Sequence, residues 1–495
     1  MNHIHKARFR TFSPFFYKAI SSPIHTFCLS IAVALLAFPL SPHLSMAILA
    51  LYYVLLAYFI ERKHLDFLLI PPLCMFAIIE FSRIGLGPLI YSLANDFETD
   101  QYILQMQVAH VTCFPLIMFV YYLITRRLPA FSLPAQPLKV TSDLYAYLKC
   151  FGLVCFVFAV FGLAAGAATG GMDRGDFGAT YSGAGFGIYS IFDMFVRLFD
   201  MAFFLLPLVL MTVGKSARQL LKLALVGIFI FFFATGTRGF IFYCAVFMIC
   251  GYWMFTRQVN WIKTASIVLV LGMLFLIPTM AIYRGTDAFS SSKLLDLPSR
   301  LAAIASFDEN ADSLDLNYNL TILSQSLIGV SDRFIYLMTP KLIPHAGWEN
   351  IDALLYVWVP KMLYRDKPLL YESDDMLYAY TRLTFERSFA TITFNADMYR
   401  RFGWTGVFAG NIVLGLVYGF AVRFAFGIAK KKRLFGALLV VFIAILFRNL
   451  PVGTMLRTFW YWLYEIPKYI IILLLIHHIV IIYLKTTRKS APVSP

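Results

Sequence analysis

Apolar runs close to the roughly 20 residues that cross a hydrocarbon core recur along almost the whole chain, and nearly every second gap between them carries a knot of Lys or Arg. This feature leaves little freedom. Runs of this length read as membrane-spanning helices; a transmembrane barrel would show shorter segments, about 10 residues each, of strictly alternating polarity. Composition agrees. Of the 495 residues 60% are hydrophobic and only 14% charged, against about 25% charged in a soluble protein. The expected fold class is an all-α polytopic membrane protein.

Helices are expected near 24–40, 45–60, 66–91, 107–124, 144–166, 191–213, 218–234, 240–256, 264–283, 405–424, 434–450 and 462–483. That is about twelve spans, with one large, partly helical loop between the ninth and the tenth. Three regions follow: 1–283 with nine spans, the loop 284–404, and 405–495 with three spans and a tail. A stretch of about 120 residues is too long for a structureless connection. Within it SLIGVSDRFIYLM (326–338) has helical spacing and suits the membrane surface or the loop's own core. DALLYVWVPKMLYRDKP (352–368) is apolar but short and broken by Pro360, which suits an interfacial or re-entrant segment.

The net charge of +15 is explained by position. Arg62/Lys63, Arg126/Arg127, Lys215/Arg218, Lys430 to Arg433 and Lys485/Arg488/Lys489 lie at the ends of apolar runs. With the N-terminus in the cytoplasm and strict alternation, these clusters all fall inside, the positive-inside pattern. Both termini are then cytoplasmic and the long loop extracytoplasmic, and no nucleic-acid partner is implied. The basic start, MNHIHKARFR, reads as the flank of an uncleaved first helix. The seven cysteines lie in or beside apolar runs and read as packing residues rather than a disulfide or metal set.

Positive charge on the outer side runs against this bias, so each outward Arg asks for a reason. FATGTRGF (233–240) places Arg238 in a tight glycine turn between the seventh and eighth helices, and Arg284 ends the ninth in AIYRGTD. Within the loop lie Arg333, Lys361, Arg365, Arg387, Arg400 and Arg401. A guanidinium suits bidentate binding of phosphate oxygens, and a lipid-linked diphosphate at the outer membrane boundary is such a ligand. Pairing with loop acids is the plainer reading for the loop set.

Inside the helices, Asp193, Arg197 and Asp200 share one face, while Glu80/Arg83 and Glu465/Lys468 are spaced i, i+3. Such groups either neutralise one another along a helix or line a substrate path. The acidic run FDENADSLDLN (307–317) matches the first ligands of a calcium loop, but Ser313 stands where Gly is needed and Asn319 where the closing Glu is needed, so it reads as a solvated face. His345 is the one histidine of the long loop, and an imidazole there can act as base or proton shuttle.

Taken together, the twelve-helix layout with a late outer loop, the G-T-R-G turn Gly236 to Gly239, VWVPKMLYRDKP (357–368) and TITFNADMYRRFGWTGVFAG (391–410) resemble the bacterial oligosaccharide repeat-unit polymerases, the Wzy-type O-antigen and exopolysaccharide polymerases. The resemblance implies an inner-membrane enzyme with a periplasmic loop. It would transfer a growing glycan from its undecaprenyl diphosphate onto another lipid-linked repeat. It implies cations at the departing diphosphate, a base for the acceptor hydroxyl, and a partner that sets chain length. On that basis Arg238 and Arg284 are the expected catalytic cations, and Glu386, Asp397 or His345 the base. Arg333, Lys361, Arg365, Arg387 and Arg400 are the expected substrate-binding residues. No nucleotide, cofactor or metal is implied. The related O-antigen ligases share the layout but call for a more prominent loop histidine. A polysaccharide or glycolipid transporter would call for short loops and repeat symmetry. A glycosyltransferase adding single sugars usually needs an acid in the first outer loop, and SPHLS has none.

Overall fold

The computed structural model describes residues 22–37, 40, 42–62, 64–65, 68–81, 85, 89, 101–129, 143–168, 186–234, 238–256, 330–359, 364, 380, 392–431, 433–447 and 454–489. Among them every regular element is helical. The helices are α1 (Pro23–Ala37), α2 (Pro42–Arg62), α3 (Pro72–Glu80), α4 (Gln101–Thr125), α5 (Asp143–Ala168), α6 (Phe186–Thr212), α7 (Lys215–Ala234), α8 (Arg238–Thr256), α9 (Val330–Met338), α10 (Phe394–Lys431), α11 (Arg433–Phe447), α12 (Met455–Trp460) and α13 (Ile466–Lys489). A 3₁₀ turn spans Ile351–Tyr356, and a π-turn at Tyr461–Glu465 joins α12 to α13 without a break. Among the described residues five stretches are long and apolar enough to cross a membrane: Leu44–Arg62, Leu144–Ala165, Phe195–Thr212, Phe394–Lys431 and Met455–Thr487. Pro23–Ala37, Thr112–Thr125 and Cys244–Thr256 are shorter apolar helices. This fits a helical membrane protein. The expected ninth helix, 264–283, lies outside the described residues, as do residues 284–329 and most of 360–391.

The helices pack as expected for a bundle in lipid, where close backbone approach replaces a hydrophobic drive. α10 runs parallel to α4: a Cβ on Gly415 would stand 2.8 Å from the Ile117 carbonyl, and one on Gly419 would stand 2.7 Å from the Ile124 side chain. Gly415→Leu is therefore expected to destabilise by about 1–3 kcal/mol through overpacking. A thermal unfolding series in detergent checks this, and an unchanged midpoint would mean the α4–α10 seam is looser than described. α5 and α6 pack antiparallel, with Phe158 stacked on Phe195 at 5.4 Å and Phe156 edge-on to Phe199 at 6.2 Å.

Long-range polar contacts tie one end of the bundle together. Glu61, 1% exposed, accepts hydrogen bonds from the Tyr121 hydroxyl at 2.6 Å and from the backbone N–H of Cys74 at 2.9 Å. A carboxylate thereby caps the start of α3 from another helix, where free N–H groups and the helix dipole favour negative charge. Lys149 Nζ donates to the Thr212 carbonyl at 3.5 Å, and Tyr147 Oη lies 2.7 Å from His477 Nδ1. His477 also packs on Phe435, just past the α10–α11 turn. The same end therefore holds Arg62, Arg126, Arg127, Lys215, Arg218, Lys430, Lys431 and Lys485, so packing gathers the sequence's basic clusters at a single end.

Three elements differ most from expectation. The helix expected over 66–91 is interrupted at its start, with 68–71 non-helical and α3 opening only at Pro72 after an extended Pro71. α10 begins at Phe394 rather than near 405, and the last apolar helix is entered at Met455 rather than near 462. The early turn of α10 carries Asn395, Asp397, Arg400 and Arg401, that of α12 carries Arg457 and Thr458 among apolar residues, and the two pack on each other and on the 330–359 segment at the opposite end of the bundle.

Candidate functional site

The start of α10 organises that opposite end. Thr393 precedes the helix, its Oγ1 accepting the Ala396 N–H at 3.3 Å. The N–H of Thr393 is in turn held at 2.9 Å by buried Asp332 of α9. α9 lies on α4 and α10 with Ile335 and Tyr336 buried, so its apolar face is spent on the helix bundle. The opening helix runs only to Gly403, where φ 65 and ψ −154 kink the chain before the spanning part begins. That backbone region is essentially restricted to glycine. A Cβ there would also meet His345 Cε1 at 3.4 Å.

Breaking a helix leaves carbonyls without partners. Those of Arg400 and Arg401 are capped by the loop above. The N–H of Ala346 donates to the Arg400 carbonyl at 3.1 Å and that of Gly347 to the Arg401 carbonyl at 3.0 Å. His345 Nδ1 stands 3.2 Å from the Arg400 carbonyl. A carbonyl can only accept, so Nδ1 carries the proton, and in the neutral imidazole Nε2 keeps its lone pair. The ring lies edge-on to Tyr399 at 6.2 Å, and the residue is exposed.

Beneath this cap sits a charge hub. Asp397 is fully buried. Its Oδ1 accepts Nε and Nη2 of Arg400, each at 2.9 Å. Its Oδ2 accepts Arg401 Nε at 3.2 Å and the Met455 N–H at the start of α12 at 2.7 Å. Arg401, 1% exposed, sends Nη1 on to the carbonyls of Gly347 at 3.0 Å and Glu349 at 2.8 Å. Arg400 Nη1 lies 3.5 Å from the exposed Glu349 carboxylate. A carboxylate buried with two guanidiniums is tolerable because its oxygens are satisfied several times over. Tyr380 belongs to the same neighbourhood through a 2.8 Å contact with Thr339. Burial raises its hydroxyl above the usual tyrosine range, the Thr339 bond opposing, so it stays a neutral group.

The expected site residues are thus brought together in part. Asp397, Arg400 and His345 share one assembly, although 52 residues separate Asp397 from His345. Asp397 is spent on positioning, with no oxygen turned to solvent, which leaves His345 as the exposed base among the described nominees. Arg400 is buried, and an anion would reach Nη1 by displacing the Glu349 carboxylate. Arg401, noted among the outward cations but not singled out, closes the loop onto α10. Arg238 is the first residue of α8, and Arg333 stands on α9. Arg284, Lys361, Arg365, Glu386 and Arg387 lie outside the described residues, as does the run 307–317. Among the described residues no three His, Cys, Asp or Glu side chains form a metal-ligand set.

A second charged group lies nearby between helices. Arg197 of α6 does not only face its own helix: Nη1 donates to the Tyr461 hydroxyl at 3.1 Å and stands 3.8 Å from Glu465. Glu465 also holds Lys468 at 3.3 Å, the i, i+3 pair legible in the sequence. The π-turn brings Tyr461 and Glu465 to this seam; such turns often mark functional positions.

No family model, curated protein or solved structure matches the chain.

Proposed function

We propose that this chain is a membrane glycosyltransferase that polymerises polyprenyl-diphosphate-linked oligosaccharide repeats at the outer face of the bacterial inner membrane. The observation that carries this reading is the assembly of Asp397, Arg400 and His345 at the end of the bundle away from the basic flanks. In the positive-inside orientation that end is periplasmic. Of the segments that carry the family resemblance, 391–410 supplies the hub, and the first residues of 357–368, Val357 to Val359, end the loop that caps it. α6 and α7 run down and back, so Arg238 opens α8 at this same end. In the proposed reaction the acceptor hydroxyl attacks the anomeric carbon of the growing glycan. The bond to the diphosphate oxygen breaks, and polyprenyl diphosphate leaves. His345 Nε2 takes the hydroxyl proton, and the outward cations, Arg238 foremost, stabilise charge on the leaving group.

The ligase reading keeps a specific observation in its favour, the fixed and exposed His345. A gel of surface glycan and lipid-linked intermediates from a strain lacking this gene separates the two. Under the polymerase reading glycan collapses to one repeat and is restored by wild type but not by Arg238→Ala at equal protein level. Full-length glycan held on the carrier would identify a ligase. Repeats trapped on the cytoplasmic leaflet would identify a transporter. An unchanged ladder would remove all three.

A further inference from the structure

The capping loop continues from Lys341 to Val359 as a stretch that packs Ile343, Ile351 and Leu354 inward and leaves other large apolar side chains exposed. Leu342 is 75% exposed, Trp348 65%, Leu355 79% and Trp358 56%. The stretch is not loose: Ala353 and Val357 are buried, the 3₁₀ turn packs on α12, and Trp348 lies edge-on to Phe402 at 4.8 Å. Charged and amide side chains alternate with the apolar ones, Lys341, Glu349, Asn350 and Asp352 all being exposed.

Its height along the bundle is fixed by Trp358, whose ring stands 5.3 Å from that of Tyr464. Tyr464 belongs to the π-turn, within the membrane-length stretch Met455–Thr487. It lies about 14 Å below Met455 at 1.5 Å per residue. Beside it Leu463 is also exposed, at 48%. The apolar side of the loop therefore lies level with the π-turn, whose exposed Leu463 leads into the exposed apolar flank of α13 at Ile471, Leu474 and Leu475, rather than above it.

We propose that residues 342–358 form a membrane seat: Leu342, Trp348, Leu355 and Trp358 enter the headgroup–acyl boundary of the leaflet at this end of the bundle. Tryptophan and tyrosine favour that boundary because an apolar ring with a polar edge matches both sides of it. An exposed apolar patch flanked by polar side chains is the form an interfacial segment takes. The seat acts on the site directly. His345 and the carbonyls that hold Arg401 lie in the same short stretch, so its depth in the leaflet sets the height of His345 above the lipid. That arrangement suits a substrate whose reacting group is carried on a membrane lipid, and the seat itself stands independently of the glycan reading.

The test uses the full chain in proteoliposomes. Subtracting the emission of Trp358→Phe from that of wild type isolates Trp358. Its signal is expected to be quenched at least about twofold more by phospholipid brominated near the glycerol backbone than by aqueous acrylamide. As a second measurement, a nitroxide on Leu355→Cys, corrected for label on the native cysteines, should be more accessible to oxygen than to a water-soluble nickel complex. Quenching by acrylamide alone would overturn the proposal, because the face would then meet water or glycan. Protection from both quenchers would overturn it too, because a partner or a second copy would then cover the face.

Discussion

Asp397→Ala is expected to unseat the whole site end of the bundle. The substitution takes the buried carboxylate from Arg401, 1% exposed, leaves Arg400, 4% exposed, with the more distant Glu349, and removes the acceptor of the Met455 N–H. Removing one partner of a buried pair costs about 3–5 kcal/mol, because the remaining charge stays desolvated. Part of the loss should be local. Arg401 also holds the Gly347 and Glu349 carbonyls, so limited proteolysis should cut first within 340–359 while the spans remain intact. Asp397→Asn keeps the volume but turns N–H donors toward guanidinium donors, and its loss should be nearly as large. Chemical unfolding in detergent checks both variants. If Asp397→Ala lost less than about 1 kcal/mol, the hub would be a surface-like ion pair, and its assignment as the positioning element would be wrong.

Most of the described helices were legible because lipid imposes a simple rule on them, a long apolar run closed by charge; the start of α3 was not, because Pro71 and Pro72 break the run expected from 66. α1, α2, α4–α8 and α11 fall within a few residues of their expected places. The rule fails where a helix leaves the bilayer and buries polar residues in protein. Phe394–Phe402 contains Asn395, Asp397, Arg400 and Arg401, and hydropathy assigns such a stretch to a loop. Met455–Trp460 carries Arg457 and met the same fate. The two turns are held together where Asp397, already paired with Arg400 and Arg401, accepts the Met455 N–H, a contact across 58 residues. No local pattern contains that information. The same limit applies to the site. Asp397, Arg400 and His345 could each be named from residue type and side of the membrane. Their roles could not be sorted, since a positioning acid and a general base look alike until burial and partners are known. Arg197 shows the limit again: its neighbours along α6 suggested pairing within one helix, whereas its guanidinium also reaches Tyr461 and Glu465 on another. The one advance signal for Arg401 was its place beside Arg400 just ahead of a glycine, and a glycine that must take φ 65 is not distinguishable in sequence from one that merely packs closely.

His345→Gln should carry the largest effect on turnover. Its hydrogen bond to the hub runs from Nδ1 to the Arg400 carbonyl, and its ring otherwise packs on Tyr399. A glutamine amide can replace that donor but offers no basic nitrogen where Nε2 stands. Stability should therefore be nearly unchanged, since the Ala346 and Gly347 N–H groups still cap the broken helix. Turnover of a lipid-linked repeat by the purified protein in lipid should fall by about 10²–10⁴-fold, the usual worth of a positioned base. The loss should lie in kcat rather than KM, because a base acts on the transition state and adds little to ground-state binding. Arg238→Lys provides the contrasting case: it keeps the charge but loses the bidentate fork, and a reduced rate there with His345 intact would separate leaving-group stabilisation from proton removal. Should His345→Gln retain wild-type kcat, the acceptor proton goes elsewhere. Glu386 would then be the remaining nominee, and the assembly around Asp397 would serve only to hold the loop on the bundle.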